Sequence, residues 1–381
     1  MGGRPCPPAV YAPPPPFDPD DVIGVALVRL AAGEVSAREL VDECATAIDK
    51  RDAELAGYAE LWLDDARAAA AASDRARASG ESLGPLAGIP LSVKDVIDVA
   101  GMSTRCGSLA YEDLPAVDAT AVACLRDAGA IILGKATTHE FALGVTSPQS
   151  RNPHDPTRIP GGSSGGSAVT VACGMALGSL GTDTRASIRV PAALCGIVGL
   201  KPTFGTVPTE GVVPLSWSMD HVAPMARTVR DAALLLDVSA RAGGTLAPWA
   251  TTAVRGWRLG APTAAFDGCE PEVSGRVERA FTLLAELGCP VIELDRPSAA
   301  DLDDANAGGL YVSRSEAATY HRARGGDLAR YWPEVADQLD EAGTLLAIDY
   351  LDAQRLRADL GSRMIRLFDE VDLLVMPTVP V

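Results

Sequence analysis

The sequence is short of several things, and each shortage excludes a class of function. No run approaches the roughly 18 consecutive apolar residues of a membrane-spanning helix. Arg4 near the N-terminus is followed by no apolar stretch, so a signal peptide is not expected. The eight cysteines (Cys6, Cys44, Cys106, Cys124, Cys173, Cys195, Cys269, Cys289) include no C-x-x-C pair. In a long chain they read as small buried apolar residues, not as a disulfide frame or a zinc site, and the expected compartment is a reducing cytoplasm. Positive charge is scarce: 33 basic against 50 acidic residues leave a formal net charge of -17, spread along the chain. Such a chain repels a polyanion, so nucleic acid is set aside as a partner. Lysine is scarcer still, with only Lys50, Lys94, Lys135 and Lys201 among the basic residues. His139, His154, His221 and His321 lack metal-ligand spacing and read as structural; no metal and no cofactor is expected.

What is present is the composition of a soluble globular protein: 381 residues, 47% hydrophobic and 22% charged. That length buries a sizeable core without disulfides. Residues 1–20 are proline-rich and are expected to be extended and poorly ordered. Ser36-Ala37-Arg38-Glu39 is a capping box opening a helix whose stripe is Leu40, Val41, Cys44 and Ile48. Asp65 to Arg77 is an alanine-rich helix. Pro90 to Val99 reads as a buried strand, Ala119 to Ala128 as a helix and Ala130 to Gly134 as a strand. Further on, a strand at Trp257 to Gly260, a helix from Pro271 to Leu287 and a strand at Pro290 to Leu294 make another unit. Helical patterns near 313–324 and 344–369 precede a strand at Val371 to Pro377. Strands alternating with helices imply an α/β fold with helices on the sheet faces. With no clean linker and no repeat, residues 21–381 are expected to form one large domain.

The stretch Arg158-Ile-Pro-Gly-Gly-Ser-Ser-Gly-Gly-Ser167 is the most informative. A P-loop is excluded, because no lysine follows the glycines. A flexible linker does not run into an apolar helix-like segment such as Ala168 to Ala176. A nucleophile elbow, G-x-S-x-G, matches at Ser163 and again at Ser164, with His221 and His321 available downstream for a Ser–Asp–His order. An elbow needs a preceding strand, and Asn152 to Pro160 holds three prolines.

A further possibility needs more of the chain. Gly181-Thr-Asp-Thr-Arg-Ala-Ser-Ile-Arg-Val-Pro191, Lys94 in Gly88-Ile-Pro-Leu-Ser-Val-Lys-Asp95, and the serine-glycine stretch together resemble the amidase signature family. Gly134-Lys-Ala-Thr-Thr-His-Glu-Phe-Ala142, Cys195-Gly-Ile-Val-Gly-Leu-Lys-Pro-Thr203 and Asp220-His-Val-Ala-Pro-Met-Ala-Arg-Thr228 are similar to it as well. The resemblance is strong over about residues 85–230. It implies a mixed β-sheet sandwiched between α-helices, and cleavage of a small carboxamide without a cofactor. By the family pattern the base is Lys94, the bridging serine is Ser163 on a cis peptide, and the nucleophile is Ser187. The two serines stand 24 residues apart, as in the family. The oxyanion hole is expected from the backbone N–H groups of Thr184, Arg185, Ala186 and Ser187. Ser164 is expected to join the hydrogen-bond network, Asp183 and Arg189 to form a structural ion pair, and Lys135 and Lys201 to be structural. Homodimers are common in the family, and a small-molecule amide is the implied partner.

The chemistry is coherent on elementary grounds. A serine hydroxyl is a weak nucleophile until a base takes its proton. A lysine on a buried strand is desolvated, and its pKa falls toward neutrality. The competing role for Lys94 is a lysine that snorkels or pairs with Asp95 or Asp98. Two departures from the family stand out. Where the pattern reads Gly-Gly-Ser this chain has Arg185-Ala186-Ser187, and a positive φ there would cost about 1–2 kcal/mol per non-glycine residue. Arg185 then has three open roles: pairing with a substrate carboxylate, marking a reshaped loop of lower activity, or facing solvent or a nearby acid. Family members also continue well past Met376-Pro-Thr378, so the chain is expected to lack the usual C-terminal part, with its extra strands and one pocket wall. Trp217 is assigned either to the acyl pocket or to the core. Two other functions stay open: the amidase subunit of a tRNA-dependent amidotransferase, and a non-catalytic or truncated family member.

Overall fold

The computed structural model describes residues 22–240 and 254–381, so the proline-rich segment 1–20 lies outside the described residues. Those residues group into two compact units. One comprises 22–240 with Gly326–Ala336, the other 254–325 with Asp337–Val381.

The first unit runs α1 (Val22–Ala32), α2 (Ala37–Leu55), β1 (Tyr58–Leu61), α3 (Leu63–Ala78), β2 (Pro90–Lys94), α4 (Thr120–Asp127) and β3 (Ile131–Ala136). It continues with α5 (Gly165–Ala172), β4 (Gly178–Asp183), α6 (Arg189–Cys195), β5 (Val198–Gly199), β6 (His221–Ala226) and α7 (Val229–Ser239). Six strands form one mixed sheet in the order β1-β3-β2-β4-β6-β5. The middle three, β3, β2 and β4, are parallel; β1, β6 and β5 each join antiparallel. Parallel strands need both faces covered, and every residue of β2, β3 and β4 is buried. The capping box is in place at α2: Ser36 accepts from the Glu39 N–H, and the Glu39 carboxylate accepts from the Ser36 N–H at 2.8 Å. Leu40, Val41, Cys44 and Ile48 are its buried stripe, as the spacing predicts.

Two local differences from the sequence expectations matter for the site. The strand expected over Pro90 to Val99 stops at Lys94, because the chain turns there: the N–H groups of Val96 and Ile97 both fold back onto the Lys94 carbonyl, at 2.9 and 3.0 Å. Lys94 is therefore the last residue of a central strand, at its C-terminal edge. And the residues before Ser163 form no strand, so the nucleophile elbow has no strand to spring from; α5 starts directly from the loop.

The second unit contains β7 (Leu259–Pro262), α8 (Pro271–Glu286), β8 (Val291–Leu294), α9 (Ala299–Arg324), α11 (Ala347–Leu367) and β9 (Leu373–Leu374). The intervening α10 (Pro333–Gly343) has its first turn in the first unit. The strands form a parallel sheet in the order β8-β7-β9. Helix α9 begins well before residue 313, at a second capping box of Ser298 and Asp301. Gly308 in its middle faces α11: a Cβ there would meet Leu356 at an ordinary contact distance of 3.4 Å. Among the described residues no helix is long and apolar enough to cross a membrane.

Candidate active site

The C-terminal edges of β2 and β4 bring together the two loops that carry the motifs. Lys94 is fully buried, and its Nζ lies 2.7 Å from Ser163 Oγ and 2.7 Å from Thr182 Oγ1. It pairs with neither neighbouring acid. Asp95 is engaged by Lys135 Nζ at 3.4 Å and by the Arg105 N–H, and Asp98 by Thr104 Oγ1 at 2.8 Å. The snorkelling or ion-paired lysine is thus replaced by one held between two hydroxyls. Burial pulls its pKa down to about 7, against the upward pull of Asp183, Asp220 and Cys106. A large fraction of Lys94 is consequently neutral near pH 7 and able to accept a proton.

Ser163 follows a cis Gly162–Ser163 peptide. Its carbonyl accepts Ser147 Oγ at 2.9 Å and the His139 N–H at 3.2 Å. Glycine is required before it, since a Cβ on Gly162 would lie 2.7 Å from Ser147 Oγ and 2.8 Å from its backbone nitrogen. Ser164 stitches the loop to β4: its hydroxyl donates to the Thr182 carbonyl at 3.0 Å, and the Thr182 N–H returns to it at 3.3 Å. The Ser164 N–H donates to the Ser187 carbonyl at 3.2 Å, which ties the residue next to Ser163 to Ser187. Ser187 is itself buried, in the loop between β4 and α6. Among the described residues no hydrogen bond joins its hydroxyl to Ser163.

The 184–187 loop is shaped by Asp183. Its carboxylate accepts the Ile188 N–H at 3.1 Å, Arg189 Nε at 3.0 Å and Arg189 Nη2 at 2.9 Å, and Arg189 Nη2 also reaches the Arg185 carbonyl at 2.6 Å. Burial alone would raise the Asp183 pKa, but the Arg189 hydrogen bonds and charge outweigh it and hold the carboxyl below its usual range. The expected ion pair is therefore present. Among the described residues, the N–H groups of Thr184, Ala186 and Ser187 have no internal acceptor. Donors left over in a partly buried turn suit an incoming oxyanion. Neither Arg185 nor Ala186 has a positive φ, so the cost that such a φ would carry does not arise. The Arg185 side chain is exposed, and Trp217, 52% exposed, is no core residue.

Lys135 and Lys201, expected to be structural, both have partners within the fold. Lys135 Nζ sits on Thr104 Oγ1 at 2.8 Å as well as on Asp95, and Lys201 Nζ lies 3.0 Å from His221 Nε2. Among the described residues no cluster of His, Cys, Asp and Glu has the makings of a metal site. Three residues that matter here do not stand out in the sequence: Thr182, Ser147 and Asp220. Thr182 and Asp220 sit inside motif blocks already quoted. Nothing in the pattern announces Ser147.

The family model described as Amidase matches residues 39–381. The chain belongs to the amidase family. An amidase of Pseudomonas putida is 41% identical over 371 residues, covering 93% of this chain and 78% of that protein. A glutamyl-tRNA(Gln) amidotransferase subunit of Roseiflexus castenholzii is 39% identical, covering 94% of this chain and 81% of its own. A crystal structure of an amidase superposes with a TM-score of 0.86 at 36% identity, over 94% of this chain and 82% of that one. The native peptide amidase of Stenotrophomonas maltophilia gives 0.74 at 32% identity, over 89% and 79%. This amidase is an α/β enzyme whose mixed sheet is flanked by helices.

Proposed function

We propose that this amidase hydrolyses a small-molecule carboxamide to a carboxylate and ammonia or an amine, through an acyl-enzyme on Ser187. The observation that carries the proposal is the buried Lys94 Nζ at 2.7 Å from Ser163 Oγ, with no carboxylate partner. Ser187 Oγ attacks the carbonyl carbon as its proton passes to Ser163, while the Ser163 proton moves to Lys94 Nζ. The backbone N–H groups of the 184–187 loop take up the negative oxygen of the tetrahedral intermediate. Collapse breaks the C–N bond, and the proton on Lys94 returns through Ser163 to the leaving nitrogen. Water then attacks the ester carbon, giving its proton along the same path, and Ser187 leaves with that proton restored. Thr182 Oγ1 accepts one Lys94 N–H, which leaves the neutral amine's lone pair free to face Ser163.

Labelling with a fluorophosphonate, followed by peptide mass spectrometry, tests this. The expected adduct is on Ser187, lost in Lys94→Ala. A folded protein that takes no adduct supports a non-catalytic member of the family instead.

A second function is favoured by the 39% identity to an amidotransferase subunit. Co-purification of partner proteins, with glutamine-dependent transfer to glutamyl-tRNA, would establish it in place of free-standing hydrolysis.

A further inference from the structure

Asp220 stands just before β6, and β6 is registered on β4 so that His221 faces Asp183. Its carboxylate is buried and fully engaged. Oδ1 accepts Thr184 Oγ1 at 2.6 Å, and Oδ2 accepts the Leu215 and Ser216 N–H groups at 2.9 and 3.0 Å. No cation sits within ion-pair distance of it among the described residues, an unusual state for a carboxylate that is 6% exposed. Two loops thereby hang from one side chain: the 184–187 turn with its unsatisfied N–H groups, and the 215–218 turn that carries Trp217.

We propose that Asp220 is a positioning residue for the acyl-transfer reaction, holding the 184–187 turn in donor geometry through Thr184 and lending negative charge to Lys94. The inference rests on the Lys94–Ser163–Ser187 assignment. The hydroxyl of Thr184 is anchored one residue beyond the strand, so the N–H of the same residue is held against rotation. A donor displaced by a fraction of an ångström no longer meets the oxyanion at hydrogen-bond distance. The charge acts separately. Asp183 bears on Lys94 more strongly still, and it is shared with Arg189. Cys106 bears on Lys94 too, and Lys94 in turn bears on His139, whose pKa is lowered mainly by its own burial. His221, next in sequence, interacts with Lys201 and Asp183 instead. Asp220 is thus the carboxylate near Lys94 that no arginine shares. Burial raises its own pKa to about 6, so it is ionised where Lys94 titrates, near 7.

The test is the rate of Ser187 labelling by a fluorophosphonate as a function of pH, which needs no knowledge of the substrate. In the wild type the rate rises through about pH 7 to a plateau. Thr184→Val removes the anchor: the plateau falls about tenfold or more, and the acid limb moves no further than it does in Asp220→Asn, because losing the Thr184 hydrogen bond only raises the Asp220 pKa. Thr184→Ser keeps the hydroxyl and recovers most of that loss. Asp220→Asn lowers the plateau and also moves the acid limb to lower pH, since protonated Lys94 loses a stabilising neighbour. A wild-type plateau in Thr184→Val, or an unmoved limb in folded Asp220→Asn, overturns the proposal. If Asp220→Asn does not fold, the Val and Ser pair at Thr184 decides. Absence of a Ser187 adduct in the wild type is a different failure, that of the catalytic assignment itself.

Discussion

The two units of the chain bury polar groups to very different degrees. The first hides them: Ser92, Lys94, Lys135, Thr138, Glu140, Ser163, Ser164 and Asp183 all have no exposed surface. The second buries far fewer, Ser313, Glu316 and His321 among them. Its ion pairs, such as Arg258–Asp372 and Arg296–Glu370, lie on the surface, and its helix α8 buries no residue at all. Hiding a polar group costs free energy unless each is given a partner. The first unit supplies those partners largely from hydroxyls and backbone amides. A hydroxyl gives a charged neighbour a hydrogen bond without a counter-charge, so Lys94 is satisfied yet still easily deprotonated. A surface ion pair does the reverse, fixing both partners in their charged forms while solvent weakens the attraction.

Substitutions on either side should break or sharpen this contrast, beginning with the largest. Ser187→Ala should reduce amide turnover on the order of 10⁶-fold, with the melting temperature nearly unchanged, as read by ammonia release and calorimetry. Lys94→Met should lower turnover about 10²- to 10⁴-fold and stabilise the fold by roughly 1–3 kcal/mol below pH 7. The sign follows from a folded-state pKa of about 7 against 10.5 for a free lysine. The folded chain holds fewer protons between those values, so wild-type stability rises with pH across that window. The advantage of the methionine variant should shrink over the same range in denaturant melts. Arg189→Met leaves Asp183 buried without its cation, and should destabilise by about 1–3 kcal/mol while slowing Ser187 labelling. The smallest effect is expected in the second unit. Arg258→Met should leave labelling unaltered and shift only the acid side of the stability profile. Hydrogen bonds from Arg258, side chain first and then backbone, hold the Asp372 pKa down to about 2. That contribution is present above the usual carboxylate pKa and fades as pH falls toward 2.

Much of this arrangement is legible in the sequence. The resemblance to the amidase signature family is what names Lys94, Ser163 and Ser187 together; from the apolar run around Lys94 alone, a snorkelling or ion-paired lysine is the plainer reading. The alternation of strands and helices gives the layered sheet. What escapes depends on contacts far apart in sequence. Thr182 meets Lys94 only because β2 and β4 are neighbours in the sheet, and Ser147 reaches Ser163 across a loop of no recognisable pattern. Asp220 is visible as a letter in a motif, but its role needs Thr184 brought against it. At Arg185-Ala186 the sequence leaves the sign of φ open, and the turn takes the unstrained one. Helix α9 reads too short from its residues because Gly308 and Gly309 depress local propensity, whereas packing against α11 restores it.

The thrift with lysine has a practical consequence. Lys94 and Lys135 have no exposed surface, Lys201 is half-buried, and Lys50 at the exposed side of α2 is the accessible one of the four. Amine-reactive dyes, cross-linkers or resins at mildly alkaline pH therefore meet very few side chains. Among side chains, labelling or tethering should therefore concentrate on Lys50 without removing any residue, the α-amine of the chain being the other group to block or exploit.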